Sequence, residues 1–248
     1  MKFSIITINY NDKQGLEKTI KSVLSQSYTD YEYIVIDGGS TDGSVEVIKA
    51  HKDRLTYWIS EPDRGIYDAL NKGLRRAHGE YVNCMNAGDT FASSHTLQQI
   101  VDENIAPGTA LIYGNTVFAE PDGSRADLAP RPFWLNREYI HGMGICHQSL
   151  FVRTDLAQKH PFNERYRIAA DYDSILRIHA EDGSTHYVPG AITVFDRTGV
   201  SSTHKKEGFR ETAKILHRYG TPKYWFYYLR KFYYYRIEWA IMSRLRRK

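Results

Sequence analysis

Apolar residues recur along the first 120 positions in two alternating rhythms. Phe3–Ile8 is a run rich in β-branched residues, and Leu16, Ile20, Val23 and Leu24 then fall on one face of a helix. Tyr31–Ile36 predicts a second strand, followed by a short helix marked by Val45 and Ile48, and Leu55–Ile59 predicts a third strand. A stripe of Ile66, Leu70, Gly73, Leu74 and Ala77 predicts the next helix, and Tyr81–Met85 a fourth strand. A helix with Leu97, Ile100 and Val101 precedes a fifth strand at Ala110–Val117. Such alternation predicts a mostly parallel sheet with helices on both faces, in which ligands bind at the carboxyl ends of the strands.

After Glu120 the rhythm breaks. Pro121-Asp122-Gly123 predicts a turn, and Arg125–Ile145, rich in Pro, Gly and aromatic residues, predicts a long functional loop. A strand resumes at Gln148–Val152, a helix is expected over Ala170–Glu181, and Thr185–Phe195 predicts one or two strands. A last helix is expected over Glu207–Tyr219.

Composition adds little for the body and much for the tail. No run of eighteen apolar residues predicts a membrane span, and the opening residues are too short and strand-like for a signal peptide. Cys84 and Cys146 lack metal-ligand spacing and are expected as reduced, buried thiols, which points to the cytoplasm. Eight basic residues and one acidic residue give positions 222–248 a charge of +7, so the chain total of +4 leaves −3 on residues 1–221. The body is therefore not expected to bind nucleic acid.

Polar residues gather where the expected strands end: Asn9-Tyr10-Asn11-Asp12, then Asp37-Gly38-Gly39-Ser40-Thr41-Asp42-Gly43, Glu61-Pro62-Asp63-Arg64-Gly65 and Asn86-Ala87-Gly88-Asp89. Each segment alone has a bland reading. Thr41, Asp42 or Asp89 could cap a helix and Gly38-Gly39 could be a turn. Four on one sheet edge predict a binding crevice. A dinucleotide oxidoreductase would need Gly-x-Gly-x-x-Gly after the first strand, where this chain has Asn9-Tyr10-Asn11-Asp12.

Together with Thr7-Ile8-Asn9 and Ser60-Glu61-Pro62-Asp63-Arg64-Gly65-Ile66-Tyr67-Asp68, these segments resemble, in order and spacing, the family 2 glycosyltransferases of GT-A fold. The resemblance spans residues 2 to about 205 and is nearest to bacterial enzymes of exopolysaccharide, capsule or O-antigen assembly. It implies a GT-A domain over 1–221, with a donor-binding half at 1–120 and an acceptor-side half at 121–221; beyond it, the basic and aromatic composition of 222–248 predicts a helical tail. The resemblance also implies an inverting transfer from a nucleotide sugar, a UDP-sugar, to a hydroxyl of a glycan or lipid-linked glycan.

The chemistry explains the residue types. A departing nucleoside diphosphate concentrates negative charge, which a divalent cation held by carboxylates neutralises. By resemblance, Asp89 ends the DxD-type segment that holds Mn2+ or Mg2+, although Asn86 and Gly88 stand where acids are usual. Asn86 would bond ribose or a metal-bound water, Asp37 would accept from the nucleobase, and Thr7 and Asn9 would line the base and ribose pocket. Arg64 would meet the diphosphate, or be a solvated surface residue. In Ile168-Ala169-Ala170-Asp171-Tyr172-Asp173, Asp171 matches the general base that takes the acceptor proton, with a helix cap as its bland alternative. His147 and Gln148 fall at an acceptor-side contact, and a lone His also reads as a satisfied core residue. The competing function is a catalytically inactive relative that binds nucleotide or glycan as a scaffold.

Ten of the 27 tail residues are aromatic and interleave with the basic ones. Aromatic rings favour the headgroup boundary, and each basic side chain near anionic lipid adds about 1 kcal/mol. The expectation is a peripheral enzyme at the inner membrane face; the alternative is a tail helix packed on the body or in a dimer. In liposome flotation the intact chain should rise with anionic vesicles and detach as salt increases, whereas a chain ending at Gly220 should stay behind. An intact chain that ignores anionic vesicles would leave the packed helix.

Overall fold

Strand β1 (Phe3–Asn9) is buried along its whole length, which requires cover on both faces of the sheet around it. It pairs in parallel with β2 (Tyr31–Asp37) on one side and β4 (Tyr81–Cys84) on the other, and β3 (Tyr57–Ser60) extends the parallel set beyond β2. The computed structural model describes residues 2–119, 124–130, 144–196 and 204–219. The remaining strands are β5 (Thr90–Phe91), β6 (Leu111–Ala119), β7 (Arg125–Leu128), β8 (Leu150–Arg153) and β9 (Thr185–Asp196). Among the described residues, these nine strands join one sheet in the order β3-β2-β1-β4-β8-β6-β9-β5, with β7 on β6.

Successive side chains of a strand point to opposite faces, so β1 and β2 each feed two cores. Phe3, Ile5, Tyr33 and Val35 pack with α1 (Lys13–Leu24), α2 (Ser44–Ala50) and α4 (Thr96–Asp102). Ile6, Ile8, Ile34 and Ile36 face α3 (Ile66–Leu74), α5 (Thr154–Lys159), α6 (Ala170–Glu181) and α7 (Lys205–Tyr219). Burying each such aliphatic side chain contributes roughly 1.5–3 kcal/mol. The expected layering of helices on both faces is therefore present.

Several expectations need correction. Strand β8 runs antiparallel between β4 and β6, a departure within the mostly parallel sheet that the sequence did not announce. Gln148–Val152 is not one strand: His147–Ser149 is a 3-10 turn and the strand begins at Leu150. The loop expected from Arg125 opens with β7, antiparallel to β6, because a short edge strand with exposed side chains carries no apolar signal. Helix α2 buries Val47 and Ile48, with Val45 only half-buried. β5 and α5 were too short to announce themselves. The turn at Pro121-Asp122-Gly123, most of the following segment and the 222–248 tail lie outside the described residues. Cys84 and Cys146 are free thiols, as expected, but only Cys84 is buried while Cys146 is part-buried; desolvation pushes each up to about 12.

Gly79 shows how tightly β4 is delivered to β1. A Cβ there would stand 2.5 Å from the Phe3 carbonyl carbon and 2.7 Å from the Ser4 nitrogen, and backbone cannot swing aside. Gly79→Ala should therefore lower the unfolding free energy by about 1–3 kcal/mol, read as a lower urea midpoint at unchanged slope. An unchanged midpoint would mean that this crossing is loose.

Candidate functional site

Asn9 and Asp37 close β1 and β2 side by side in the parallel register. Asp37 is fully buried, and its carboxylate accepts from Asn9 Nδ2 (2.8 Å), Ser40 Oγ (2.6 Å), the Ser40 amide (2.9 Å) and Ser60 Oγ (2.6 Å). Burial pushes this carboxyl up, but those donors outweigh it and hold Asp37 below the ordinary carboxylate range. The residue expected to accept from a nucleobase thus organises the loop over 37–40, with both oxygens already engaged. Thr7 is buried beneath, its hydroxyl 3.0 Å from the Tyr33 hydroxyl, and so does not present that hydroxyl to the crevice. Asn9 leaves a buried Oδ1 with no partner. Tyr10, 69% exposed, borders Gly38: a Cβ there would stand 3.2 Å from its ring.

Asn86-Ala87-Gly88-Asp89 is a turn closed by the Asp89 amide donating to the Asn86 carbonyl, with Gly88 at φ +95°, a conformation that suits glycine. Thr19 of α1 clamps it, donating to the Asp89 carbonyl and accepting from the Gly88 amide. Lys18 donates to the Gly88 carbonyl at 2.9 Å and lies 3.9 Å from Asp196 at the end of β9. No helix follows Asp89, so the capping alternative fails; β5 does. Asp89 is 3% exposed, with Oδ1 accepting from the Asp196 amide at 2.8 Å and Oδ2 from Gln148 Nε2 at 2.7 Å. Burial raises it to about 7 against the lowering effect of those donors and of His147.

The third part of the site crosses the sheet. Because β8 is antiparallel, its start lies on the edge where the parallel strands end, which puts His147 and Gln148 beside Asn86 and Asp89. His147 Nδ1 stands 3.2 Å from Asp171 Oδ2. Facing a carboxylate, that nitrogen carries the ring proton, and Nε2 then accepts from Asn86 Nδ2 at 3.3 Å. Asp171 Oδ1 accepts from its neighbour, the Tyr172 amide, at 2.8 Å, and from the Tyr67 hydroxyl at 3.3 Å. Asp171 sits one residue inside α6, whose N-cap is Ala169, so it is not the helix cap of the bland reading. Burial, then the charge of Asp171, pushes the Tyr67 phenol well above its ordinary value. His147 is only part-buried, unlike a core histidine.

Arg64 stands apart from these contacts. Its side chain is 77% exposed and pairs with Asp68 at 2.9 Å and Glu164 at 2.8 Å, bonds it would have to yield before gripping a phosphate. The divalent cation has no ready-made seat. Asp89 is turned inward with both oxygens engaged, and among the described residues no three His, Cys, Asp or Glu side chains are arranged to hold a metal ion. Residue-by-residue reading missed Tyr67, Thr19, Lys18 and Asp196. Asp196 had a signal, as the last residue of a strand, whereas Thr19 and Lys18 sit mid-helix with none. Among the described residues no helix is long and apolar enough to cross a membrane.

Residues 4–158 match the family model described as Glycosyl transferase family 2. An uncharacterized glycosyltransferase of Mycobacterium tuberculosis is 34% identical over 204 residues, 80% of this chain and 76% of the relative. A PGL/p-HBAD biosynthesis glycosyltransferase of Mycobacterium bovis is 28% identical over 220 residues, 85% and 79% of the two chains. Among solved structures, S. aureus TarS 1–349 in complex with UDP-GlcNAc matches with a TM-score of 0.67 at 18% identity, over 90% of this chain and 68% of that one. The mannosyltransferase PcManGT of Pyrobaculum calidifontis, in complex with GDP-Man and Mn2+, matches with a TM-score of 0.64 at 20% identity, over 90% and 71%. At such identities these structures speak for the fold alone, which is GT-A.

The raised Asp89 has a pH signature. Between about pH 4, where an unfolded Asp loses its proton, and about 7, the folded chain keeps a proton that the unfolded chain has released. This contribution is full below the unfolded value and is lost as pH rises through the folded one. Asp89→Asn should flatten that decline in urea midpoints, by up to about 1.4 kcal/mol per pH unit. Parallel profiles for mutant and wild type would place Asp89 in a wetter setting.

Proposed function

The chain belongs to glycosyl transferase family 2, and on that footing we propose that it is an inverting enzyme moving a sugar from a nucleoside diphosphate, a UDP-sugar, to a hydroxyl of a glycan. The observation that carries the reading is the line Tyr67–Asp171–His147–Asn86, which reaches the Asp89 turn through the His147-Gln148 dipeptide. Within that line Asp171 offers a proton acceptor, and the turn lies on the sheet edge where Asn9 and Asp37 also end their strands. The UDP-GlcNAc and GDP-Man bound to the two structural neighbours support a nucleoside diphosphate sugar as donor. The relative named for PGL/p-HBAD biosynthesis supports sugar transfer in glycan synthesis, and in this reading the acceptor is lipid-linked at the inner membrane face.

In this reading Asp171 takes the acceptor proton on Oδ2 as the hydroxyl oxygen attacks the anomeric carbon. The bond from that carbon to the diphosphate oxygen breaks, and the nucleoside diphosphate leaves with the electron pair. One displacement inverts the anomeric centre. His147 and Tyr67 hold the carboxylate in orientation, which a general base requires, since geometry precedes acidity. Asn9 and the face of Tyr10 border the nucleobase end, while Gln148 keeps Asp89 in place. Lys18 brings a positive charge to the turn at Gly88. A divalent cation, the charge-neutralising group implied by the family, would be held here largely by diphosphate oxygens and water, as Mg2+ commonly is.

Thermal melts against UDP-, GDP- and dTDP-sugars test the donor. A UDP-sugar at a hundredfold excess over its Kd should stabilise the fold by about 2.7 kcal/mol, and Mn2+ without nucleotide should not shift the melt. Stabilisation by Mn2+ alone would mean that the protein does assemble a cation site. Asp171→Asn should retain donor binding while UDP release in the presence of acceptor falls by about 10²–10⁴. Equal loss of binding would make Asp171 structural. Binding without release in the unmutated chain would favour the inactive scaffold.

A further inference from the structure

We infer that Glu211 of α7 is a positioning residue for the base, setting the backbone from which Asp171 projects; this rests on the reading of Asp171 given above. Glu211 is buried, and its carboxylate accepts from three consecutive amides: Arg167 at 2.8 Å, Ile168 at 2.9 Å and Ala169 at 3.0 Å. Those residues lead directly into α6, which has no side-chain cap of its own. Three consecutive N–H groups, that of Ala169 buried and those of Arg167 and Ile168 part-buried, are satisfied by one charged acceptor, and bonds to a charged group are the stronger kind.

The segment so gathered is also held from the other side. The Ile168 carbonyl accepts from the Tyr67 hydroxyl at 2.6 Å, and the same hydroxyl reaches Asp171 Oδ1 at 3.3 Å. Glu211 thus fixes the Ile168–Ala169 peptide from the Ala169 N–H, and Tyr67 fixes it from the Ile168 carbonyl. Tyr67 then reads the position of that peptide directly to the base. α7 comes close enough for this because position 208 is glycine. A Cβ at Gly208 would stand 2.9 Å from Ile168 Cγ2. Ile215 and Leu216, one and one-and-a-half turns further on, lock the helix into the same apolar cluster as Ala169, Ala170 and Tyr172.

A glutamate that only stabilised α7 would act on folding and leave the geometry of Asp171 untouched. The two roles separate in Glu211→Gln, which keeps the size but turns a donor towards one of the amides, and in Glu211→Ala. The ring nitrogens of His147, followed by 15N resonances of labelled histidine, report the Nδ1–Asp171 contact without any substrate. Asp171→Asn supplies the reference for its loss.

Both Glu211 variants should move the His147 resonance towards that reference, speed amide exchange at 167–169 and keep binding of UDP. UDP release from UDP-sugar should drop by about tenfold or more, since a small misplacement of a reacting group can cost 10²-fold. In the Asp171→Asn background, Glu211→Ala should add little further loss, because both act through one carboxylate. Faster exchange at 167–169 with an unmoved His147 resonance would overturn the positioning role, as would an additive double mutant. If Glu211→Ala does not fold, Glu211→Gln decides by the same resonance. Unimpaired release by Asp171→Asn would instead remove the base itself, an outcome distinct from a failure of Glu211.

Discussion

The buried carbonyl of Gln148 is the point on which the site hangs. It accepts from Asn83 Nδ2 of β4 at 2.8 Å and from Thr193 Oγ1 of β9 at 2.8 Å, while Asn83 also donates to the Leu150 carbonyl at 2.9 Å. A strand that enters a sheet through a 3-10 turn leaves backbone acceptors that no ladder partner can reach. Left unpaired in the interior, each costs about 1–3 kcal/mol. Two side chains, one from adjacent β4 and one from β9 beyond β6, meet that demand and fix where the turn sits. With the turn fixed, His147 faces Asn86 and Asp171, and Gln148 faces Asp89.

The acidic residues divide by what surrounds them. Asp37 and Asp89 are both buried, yet one is held low and the other raised to about 7. Asp37 collects side-chain hydroxyls, an amide side chain and a backbone amide, enough to exceed the cost of desolvation. Asp89 has two donors and lies near the carboxylate of Asp196, and desolvation prevails. Neither is free to act on a substrate as it stands. Asp171 differs: its side chain is 15% exposed, and its Oδ2 meets a nitrogen of a part-exposed histidine at 3.2 Å. Access, rather than the number of donors, therefore sets Asp171 apart from the two buried carboxylates.

Order in this site is imposed from outside it. Thr19 of α1 clamps the 86–89 turn, Ser60 at the end of β3 steadies Asp37, and Glu211 of α7 gathers the backbone before Asp171. Each support comes from a different element packed on the sheet. A constellation held this way loses little freedom when a charge develops in it, which is where preorganised dipoles are worth most.

The sequence alone determined the layered α/β plan, because strand and helix periods are written locally in the apolar residues. β1, β2, β4 and α6 begin and end close to where Phe3–Ile8, Tyr31–Ile36, Tyr81–Met85 and Ala170–Glu181 put them, and α3 begins with the Ile66–Ala77 stripe but ends at Leu74. It also determined that Asn9, Asp37, Asn86 and Asp89 share an edge, since parallel strands joined by helices end on one side. Only the tertiary structure decided that β8 enters antiparallel beside β4, a pairing about 70 residues apart that no local period encodes. The same holds for which carboxylates are spent internally. Asp37, Asp89 and Asp171 look alike as letters, and their hydrogen-bond partners lie up to 107 residues away. Glu211 is the extreme case, an acidic residue in a helix that reads as a solvated face until the three amides it holds come into view.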